Sequence, residues 1–201
     1  MHPYATDSTE RTRVVAWLAL IALALTYGVH RYTTYYGLAF PWWAETPSPF
    51  LIFGLLHVGF DRYAWRWRIV RWLGDLTIPD LAGSWDANIK SSHNQFSVAL
   101  QADVTIEQTW TRMRVCLTTT SSISYSLVGA ILIDHGGGTR LIYQYVNEPR
   151  PSSAETMNIH YGTSSLRLTS PTTLDGVYYT DHGRRENGEL ILAKKFVPFA
   201  S

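Results

Sequence analysis

Aromatic and polar side chains alternate in two segments of the C-terminal part of the chain. Tyr143, Tyr145 and Asn147 occupy every second position of one segment, and Tyr178 and Thr180 do so in another. In a β-strand, residues two apart share a face, so each set would point in one direction. Tyrosine rings stack on flat heterocycles such as purines, while amide and hydroxyl groups bond their edges. The spacing predicts a polar, aromatic site for a small molecule.

Five further residues complete this candidate site. Tyr161 and Thr163 lie in a third segment, and Trp110 lies at a predicted hairpin. Arg184 and Arg185 lie in another hairpin, where their guanidinium groups suit phosphate oxygens. Each tyrosine alone is better explained as a core residue with its hydroxyl at the rim, but the group indicates a ligand site. The ligand-binding candidates are Trp110, Tyr143, Tyr145, Asn147, Tyr161, Thr163, Tyr178, Thr180, Arg184 and Arg185.

The sequence carries no pattern typical of an enzyme. A nucleophile elbow, a phosphate-binding loop and a His-x-x-x-His pair are all absent from it. Asp181 and His182 beside the two arginines fit a solvated hairpin tip better than a phosphodiesterase-like site. The single cysteine, Cys116, excludes an intrachain disulfide, and the histidines show no metal-ligand spacing. We therefore expect a binding protein without catalytic residues, metal or cofactor.

Charge is distributed differently in the two parts of the chain. Residues 1–79 contain seven arginines and five acidic residues, whereas residues 80–201 contain ten basic and eleven acidic residues. The second part therefore lacks the basic stripe that neutralises the phosphates of a long nucleic acid. A small anionic ligand remains compatible, since a few well-placed donors suffice for it.

The candidate residues lie among short segments with period-two alternation, which predicts β-strands. Gly83-Ser84-Trp85 enters the first segment, and Asn187-Gly188 is a strong turn pair before the last. About eight such strands form a barrel whose lumen just fills with side chains or holds one small ligand. We predict that residues 80–201 form an all-β domain, a roughly eight-stranded antiparallel up-and-down barrel of lipocalin-like shape. The strands are expected near residues 83–91, 97–108, 111–120, 122–134, 139–147, 156–168, 173–181 and 188–196.

The apolar face of each strand should point into the barrel, because this region carries too much charge for a barrel that spans a membrane. In the fourth strand that face consists of the alternate residues from Ile123 to Ile133, with serines between the first of them. The interior is therefore expected to be aliphatic, with the tyrosines at one rim.

Residues 1–79 are predicted to anchor this barrel in a membrane. Residues 14–29 are uncharged and flanked by arginines, which predicts a transmembrane helix over about residues 12–31. The alternative is a secretory signal peptide cleaved near residues 22–24, but a second apolar segment and an arginine cluster follow. A second transmembrane helix is predicted over about residues 48–66, continued by an Arg- and Trp-rich juxtamembrane segment. The two helices form a transmembrane hairpin before the all-β domain.

Basic residues flank the two predicted spans unevenly. Two precede the first span, one lies between the spans and four follow the second. The positive-inside rule then predicts that both termini and the barrel lie in the cytoplasm.

Four short motifs carry a resemblance to a known family: IEQTW at residues 106–110, YQYVNEP at 143–149, HYGT at 160–163 and LDGVYYT at 174–180. With the Gly-x-Trp start and the two apolar segments, nearly the whole chain resembles the minimal two-transmembrane β-barrel effectors of CBASS, the bacterial cyclic-oligonucleotide antiphage systems. The resemblance implies a cyclic dinucleotide as activating ligand, a partner nucleotidyltransferase that makes it, and a location in the bacterial inner membrane. It also implies self-association, disruption of the lipid bilayer and abortive-infection cell death.

The residues leave two other functions open. A membrane-tethered, lipocalin-like binder of a lipid or other apolar molecule would have the same Gly-x-Trp start and apolar lumen. An assembly subunit whose barrel is only a docking module would have them too. A ligand with two bases and two phosphates is too large for an aliphatic eight-stranded lumen, so we expect it at an open end or between two barrels.

Overall fold

The computed structural model of the chain describes residues 1–38, 49–133, 136–153, 158–181 and 186–195. The chain divides into two compact units. A barrel unit comprises Met1–Ser8 and Ile78–Ser201, and a helical unit comprises Thr9–Thr77. In chain order, the helical unit interrupts the barrel unit.

The described residues contain nine strands. Eight of them form an antiparallel meander in sequence order, and the first and last strands of this meander pair to close the barrel. Trp85 lies opposite Lys194 in that closing pair. The predicted eight-stranded antiparallel up-and-down barrel is confirmed, with a ninth strand added at the N-terminus. The strands are β1 (His2–Thr6), β2 (Gly83–Ser91), β3 (Ala99–Gln108), β4 (Arg112–Thr118), β5 (Ser122–Leu132), β6 (Arg140–Pro149), β7 (His160–Ser170), β8 (Thr173–Thr180) and β9 (Asn187–Lys194).

The ninth strand, β1, lies between β4 and β5, which pair directly only next to their connecting turn. β1 is antiparallel to β4, with His2 opposite Met113, and parallel to β5, with Tyr4 opposite Gly129. Tyr4 is only 2% exposed, so this strand contributes a side chain to the core. No strand is predicted here from the sequence, because five residues that include a proline show no recognisable alternation.

A bulge in β5 reverses which residues face the lumen. The register shifts between Ser126 and Val128, and an extra residue changes the phase of the alternation. Before the bulge Ser122 and Ser126 are buried, whereas Val128 is 56% exposed. The Ser126 hydroxyl accepts a hydrogen bond of 2.8 Å from the Val115 N–H, in place of a backbone carbonyl. The expected apolar inward face is therefore wrong for the first half of β5, and it is correct at Ile131, which is fully buried.

The barrel is closed at the end where β2 begins. Trp85 is fully buried there, and its indole N–H donates to the Leu81 carbonyl at 3.0 Å. The Lys194 ammonium lies 5.3 Å from the centre of the Trp85 ring, a cation–π contact. The Gln108 side chain accepts from the Leu81 N–H at 2.8 Å and donates to the Pro79 carbonyl at 3.0 Å. These contacts fix the segment that enters the barrel across its floor, so the lumen opens at the opposite end.

The helical unit contains α1 (Glu10–Tyr35), α2 (Pro49–Arg62) and α3 (Arg68–Gly74), with a 3-10 turn at Ala64–Arg66. Among the described residues, α1 is the one helix whose length and composition suffice to cross a membrane. It extends about 39 Å, more than the roughly 30 Å of a hydrocarbon core. Its apolar side chains are largely exposed, Trp17 at 58% for example, which suits contact with lipid. The second predicted span, 48–66, begins outside the described residues, and α2 ends at Arg62.

Two contacts join the start of α1 to the end of the helical unit. The buried Glu10 carboxylate accepts from the Thr77 N–H at 2.9 Å and also bonds the Thr77 hydroxyl. The Arg13 guanidinium donates to the Asp75 carbonyl at 3.0 Å and lies 3.7 Å from the Asp75 carboxylate. Asp75 adopts a left-handed conformation, with φ of 47°, which ends α3. The two ends of the helical unit are thus held side by side.

Candidate ligand-binding site

A cavity of about 360 Å³ opens at the end of the barrel opposite Trp85. Val115 and Leu190 belong to its aliphatic floor, and polar side chains form its rim. Its volume lies at the lower end of the roughly 300–1,000 Å³ typical of small-molecule sites. The polar and aromatic lining residues are Ser91, His93, Asn94, Thr119, Ser121, Ser122, Ser124, Tyr143, Tyr145, Asn147, His160, Ser164, Tyr178, Thr180 and Glu186.

β6 contributes three of the predicted residues to this cavity. Tyr143, Tyr145 and Asn147 share its inner face and are 4%, 8% and 5% exposed. The two tyrosine ring centres are 6.2 Å apart, and the Asn147 side-chain oxygen accepts from the Ser124 hydroxyl at 2.8 Å. Burial raises the pKa of the Tyr143 hydroxyl, and a side-chain hydrogen bond with Ser164 opposes that rise. The hydroxyl therefore stays neutral at physiological pH and is both a donor and an acceptor.

Two of the tyrosine rings pack against glycines of the neighbouring strand. Tyr145 is opposite Gly162, and Tyr178 is opposite Gly188. A Cβ atom at Gly162 would lie 2.4 Å from the Tyr145 ring, and one at Gly188 would lie 2.3 Å from the Tyr178 ring. No larger residue fits at either position, so each glycine fixes where the ring rests. The rings thus line the cavity wall and leave its centre open.

The turn after β2 meets the start of β9 at the rim. His93 Nδ1 lies 3.0 Å from a Glu186 carboxylate oxygen, and the Ser92 hydroxyl accepts from the Asn187 N–H at 3.1 Å. The Thr180 hydroxyl accepts from the Glu186 N–H at 2.7 Å. Thr180, a predicted ligand residue, therefore lines the cavity and also holds the backbone at Glu186.

Asn94 is a rim residue that the sequence pattern does not reveal. It lies in the 3-10 turn after β2, and its side-chain N–H donates to the Val98 carbonyl at 2.9 Å. Its side-chain oxygen is buried and has no hydrogen-bond partner among the described residues. A buried acceptor without a partner is costly in free energy. Asn94 also lines the cavity, so its side chain belongs to the polar rim.

Two serines that line the cavity and an arginine at the same end of the barrel are further residues that the sequence pattern does not reveal. Ser122 and Ser124 face the cavity because the β5 bulge reverses the phase of that strand. Arg150 follows β6, and its backbone N–H donates to the Ser121 carbonyl at 2.8 Å, which places a cationic residue at this end of the barrel. The alternation of serines from residue 122 to 126 is the signal that could have indicated a polar inward face.

Three predicted residues lie away from the cavity. Tyr161 and Thr163 lie on the outer face of β7, because the alternate residues Gly162 and Ser164 are the buried ones. Tyr161 is 48% exposed. Trp110 is buried, but it lies in the turn between β3 and β4 at the closed end of the barrel. Arg184 and Arg185 lie outside the described residues.

The cavity has the chemistry of a binding site for a planar, polar group. Within the described part of the chain, no three histidine, cysteine, aspartate or glutamate side chains are grouped so that they could hold a metal ion. Tyrosine rings offer stacking faces, and amide and hydroxyl groups around them offer donors and acceptors.

Two known proteins are similar in sequence to this chain. CD-NTase-associated protein 15 of Yersinia aleksiciae is 29% identical over 143 residues, which cover 69% of this chain and 65% of that protein. The protein of the same name from Staphylococcus schleiferi is 26% identical over 137 residues, which cover 68% of this chain and 71% of that protein. The chain thus spans about two thirds of the length of these curated relatives.

A family model described as "Cap15, cyclic dinucleotide receptor domain" matches residues 76–194, more than half of the chain. The matched range contains the whole meander from β2 to β9, together with every described wall of the cavity. The resemblance to this class of effector is confirmed, and the chain belongs to the family of Cap15 cyclic dinucleotide receptor domains.

Proposed function

We propose that this chain is an antiviral effector of a bacterial CBASS system, activated by a cyclic dinucleotide at the open end of its barrel. The observation that carries the proposal is the cavity there, where Tyr143, Tyr145 and Tyr178 line the wall and Asn147 lies at the rim. Membership of the cyclic dinucleotide receptor family supports this class of ligand. The chain senses and responds, and it catalyses no reaction.

The cavity accommodates only part of such a ligand. One base enters it and stacks on tyrosine, a contact that contributes about 1–3 kcal/mol per base. The side chains of Asn94 and Asn147, which line the cavity, bond the polar edge of that base. The phosphates stay at the rim near Arg150, because charged groups are costly to bury without partners. The second base projects outwards and enters a second barrel, so that one ligand joins two copies of the chain.

Self-association connects ligand binding to the membrane. α1 has the length and composition of a membrane span, and the distribution of arginines favours a cytoplasmic location for both termini and the barrel. Clustered helices whose lengths do not match the bilayer strain it, and enough of them in one place disrupt the inner membrane. The name of the relatives, CD-NTase-associated protein 15, supports a partner nucleotidyltransferase that makes the ligand during phage infection. Loss of the membrane then kills the infected cell before phage are released.

Dye release from vesicles tests this function. The full-length protein is reconstituted into vesicles that contain a self-quenched dye, and cyclic dinucleotides of different base composition are added. We expect release with at least one of them, and loss of release and of binding in Asn147→Ala, which removes a group of the cavity. Tyr161→Ala is the matched control, because its side chain lies on the outer face of the barrel.

The same preparation separates the alternatives. Saturable binding of fatty acids without binding of cyclic dinucleotides would identify a lipocalin-like carrier. Binding of neither class would identify a docking module. Binding of a cyclic dinucleotide without dye release would refute membrane disruption and leave sensing in place.

A further inference from the structure

A second cavity, about 750 Å³ in volume, lies within the helical unit. One wall is a single face of α1, where Val14, Leu18 and Ile21 recur at helical spacing. The C-terminal half of α2 and residues 63–76 form the others. We call this cavity the helical groove. Nearly all of its described lining is aliphatic or aromatic, so water inside it would find few hydrogen-bond partners.

The helical groove lies along the first two turns of α1 after Arg13, where a membrane-spanning α1 would meet the lipid headgroups. It begins one residue after Arg13 and runs along α1 for about 10 Å. Trp17, Tyr63 and Trp67 line it and are nevertheless 58%, 64% and 63% exposed. Half-exposed tryptophan and tyrosine side chains are enriched at membrane interfaces, where one part of the ring is apolar and the other is wet.

Two arginines lie next in sequence to residues that line the helical groove. Arg62 and Arg68 are exposed. Arg62 directly precedes the lining residue Tyr63, and Arg68 directly follows the lining residue Trp67. Neither forms a salt bridge with any residue that the structure describes. Two cations that form no salt bridge with the described residues, next in sequence to the lining of a large apolar groove, are complementary to a molecule with an acyl chain and an anionic headgroup.

We infer that the helical groove binds an acyl chain of an anionic phospholipid, with the headgroup phosphate held by Arg62 and Arg68. The inference rests on the proposed membrane location of α1. A zwitterionic lipid has the same acyl chain, but its ammonium group offsets the phosphate charge. Attraction of about 1 kcal/mol per arginine near an anionic surface corresponds to about a fivefold preference for each of the two. The bound lipid completes the packing of the helical unit and sets which membranes it enters.

Quenching of tryptophan fluorescence by brominated lipids tests the inference. The full-length protein is placed in phosphatidylcholine vesicles that contain increasing amounts of phosphatidylglycerol with brominated acyl chains, or of brominated phosphatidylcholine. No cyclic dinucleotide is present, so the outcome is independent of ligand sensing. We expect brominated phosphatidylglycerol to quench the tryptophan fluorescence by half at a mole fraction at least about fivefold lower than brominated phosphatidylcholine requires. Trp17→Phe/Trp67→Phe should remove most of that selective quenching, because these two of the eight tryptophans line the groove.

Matched glycines in α2 separate filling of the groove from general damage to the helix. Gly59 lines the groove and Gly54 does not, and a Cβ at either position meets no atom within 4 Å. Gly59→Leu should abolish the preference for phosphatidylglycerol, and Gly54→Leu should retain it. Circular dichroism shows whether both variants keep their helices.

Charge variants supply a second test that does not depend on the fit in the groove. Arg62→Gln/Arg68→Gln should lose the preference for phosphatidylglycerol and keep quenching by either lipid, whereas Arg31→Gln, at the other end of α1, should retain the preference. Equal quenching by both brominated lipids in the unmodified protein would overturn the inference. The inference would also fail if the unmodified protein proved oligomeric and Gly59→Leu made it monomeric without any change in lipid preference, because a second copy would then occupy the groove. Failure of the unmodified protein to float with vesicles would instead refute the membrane location itself.

Discussion

Replacement of two consecutive tyrosines in β8 tests where the ligand lies. Tyr178 lines the cavity, whereas Tyr179 is 52% exposed on the outer face. Alanine at either position removes the same ring from the same strand, so the loss of β-propensity, up to about 1 kcal/mol, is common to both variants. The comparison therefore isolates the direction in which the ring points.

Tyr178→Ala should weaken binding of the activating cyclic dinucleotide by about 5- to 150-fold, which corresponds to about 1–3 kcal/mol for a base stacked on an aromatic ring. Tyr179→Ala should leave the dissociation constant within about twofold, as is usual for surface substitutions away from a site. Isothermal titration calorimetry on the full-length protein in detergent gives both constants, and thermal unfolding checks that each variant is folded. Equal losses in the two variants, or a larger loss in Tyr179→Ala, would refute the reasoning, because the ligand would then contact the outside of the barrel.

Three further comparisons between variants test the barrel itself. Gly162→Ala puts a Cβ 2.4 Å from the Tyr145 ring and should lower the free energy of unfolding, measured in urea, by about 1–3 kcal/mol. The double variant Gly162→Ala/Tyr145→Leu should regain part of this stability. If it regains none, the Tyr145 ring is not the obstacle. Burial raises the pKa of the Tyr143 hydroxyl above its usual 10.0. Above pH 10 the folded protein therefore keeps a proton that the unfolded chain loses. The free energy of unfolding is unaffected by this ionisation below pH 10 and falls as the pH rises from 10 towards the pKa of the folded state. In that window the unmodified protein should lose up to about 1.4 kcal/mol per pH unit more than Tyr143→Phe, and parallel stability curves would contradict this. Tyr4→Ala should lower the free energy of unfolding by about 3–5 kcal/mol and Tyr161→Ala by about 0.5 kcal/mol or less, whereas similar thermal shifts would exclude β1 from the core.

The meander could be predicted from the sequence because alternation is a local property. Each strand from β2 to β9 is long enough to show it, and turn pairs such as Asn187-Gly188 mark the ends. β1 could not be predicted, since Tyr4 is buried only through pairing with strands more than a hundred residues away. Pairing between distant segments depends on the whole fold and leaves no pattern in five residues.

Candidate site residues could be predicted from the sequence where they alternate within one strand. They could not be predicted where the inward face depends on the register between two strands. Tyr143, Tyr145 and Asn147 follow from the alternation within β6. Tyr161 is outside because Gly162 must lie inside to receive the Tyr145 ring, a constraint set by the register between β6 and β7. Ser124 faces inwards because of the bulge in β5, which lies where β1 begins to separate β5 from β4. The alternating apolar residues run through the bulge without a break, so the sequence does not reveal it.

Because the two ends of the helical unit lie side by side, the whole unit can be replaced without separating the parts of the barrel that precede and follow it in the chain. Glu10 and Thr77 are bonded to each other, and the chain on either side of them belongs to the barrel. A short flexible linker in place of residues 9–77 should therefore yield a water-soluble sensor that keeps all nine strands. Truncation at residue 79 would instead remove β1 and leave parts of β4 and β5 as unpaired edges, which are prone to aggregate. By the same logic, membrane segments of other lengths can be grafted between Ser8 and Ile78 while the receptor stays folded.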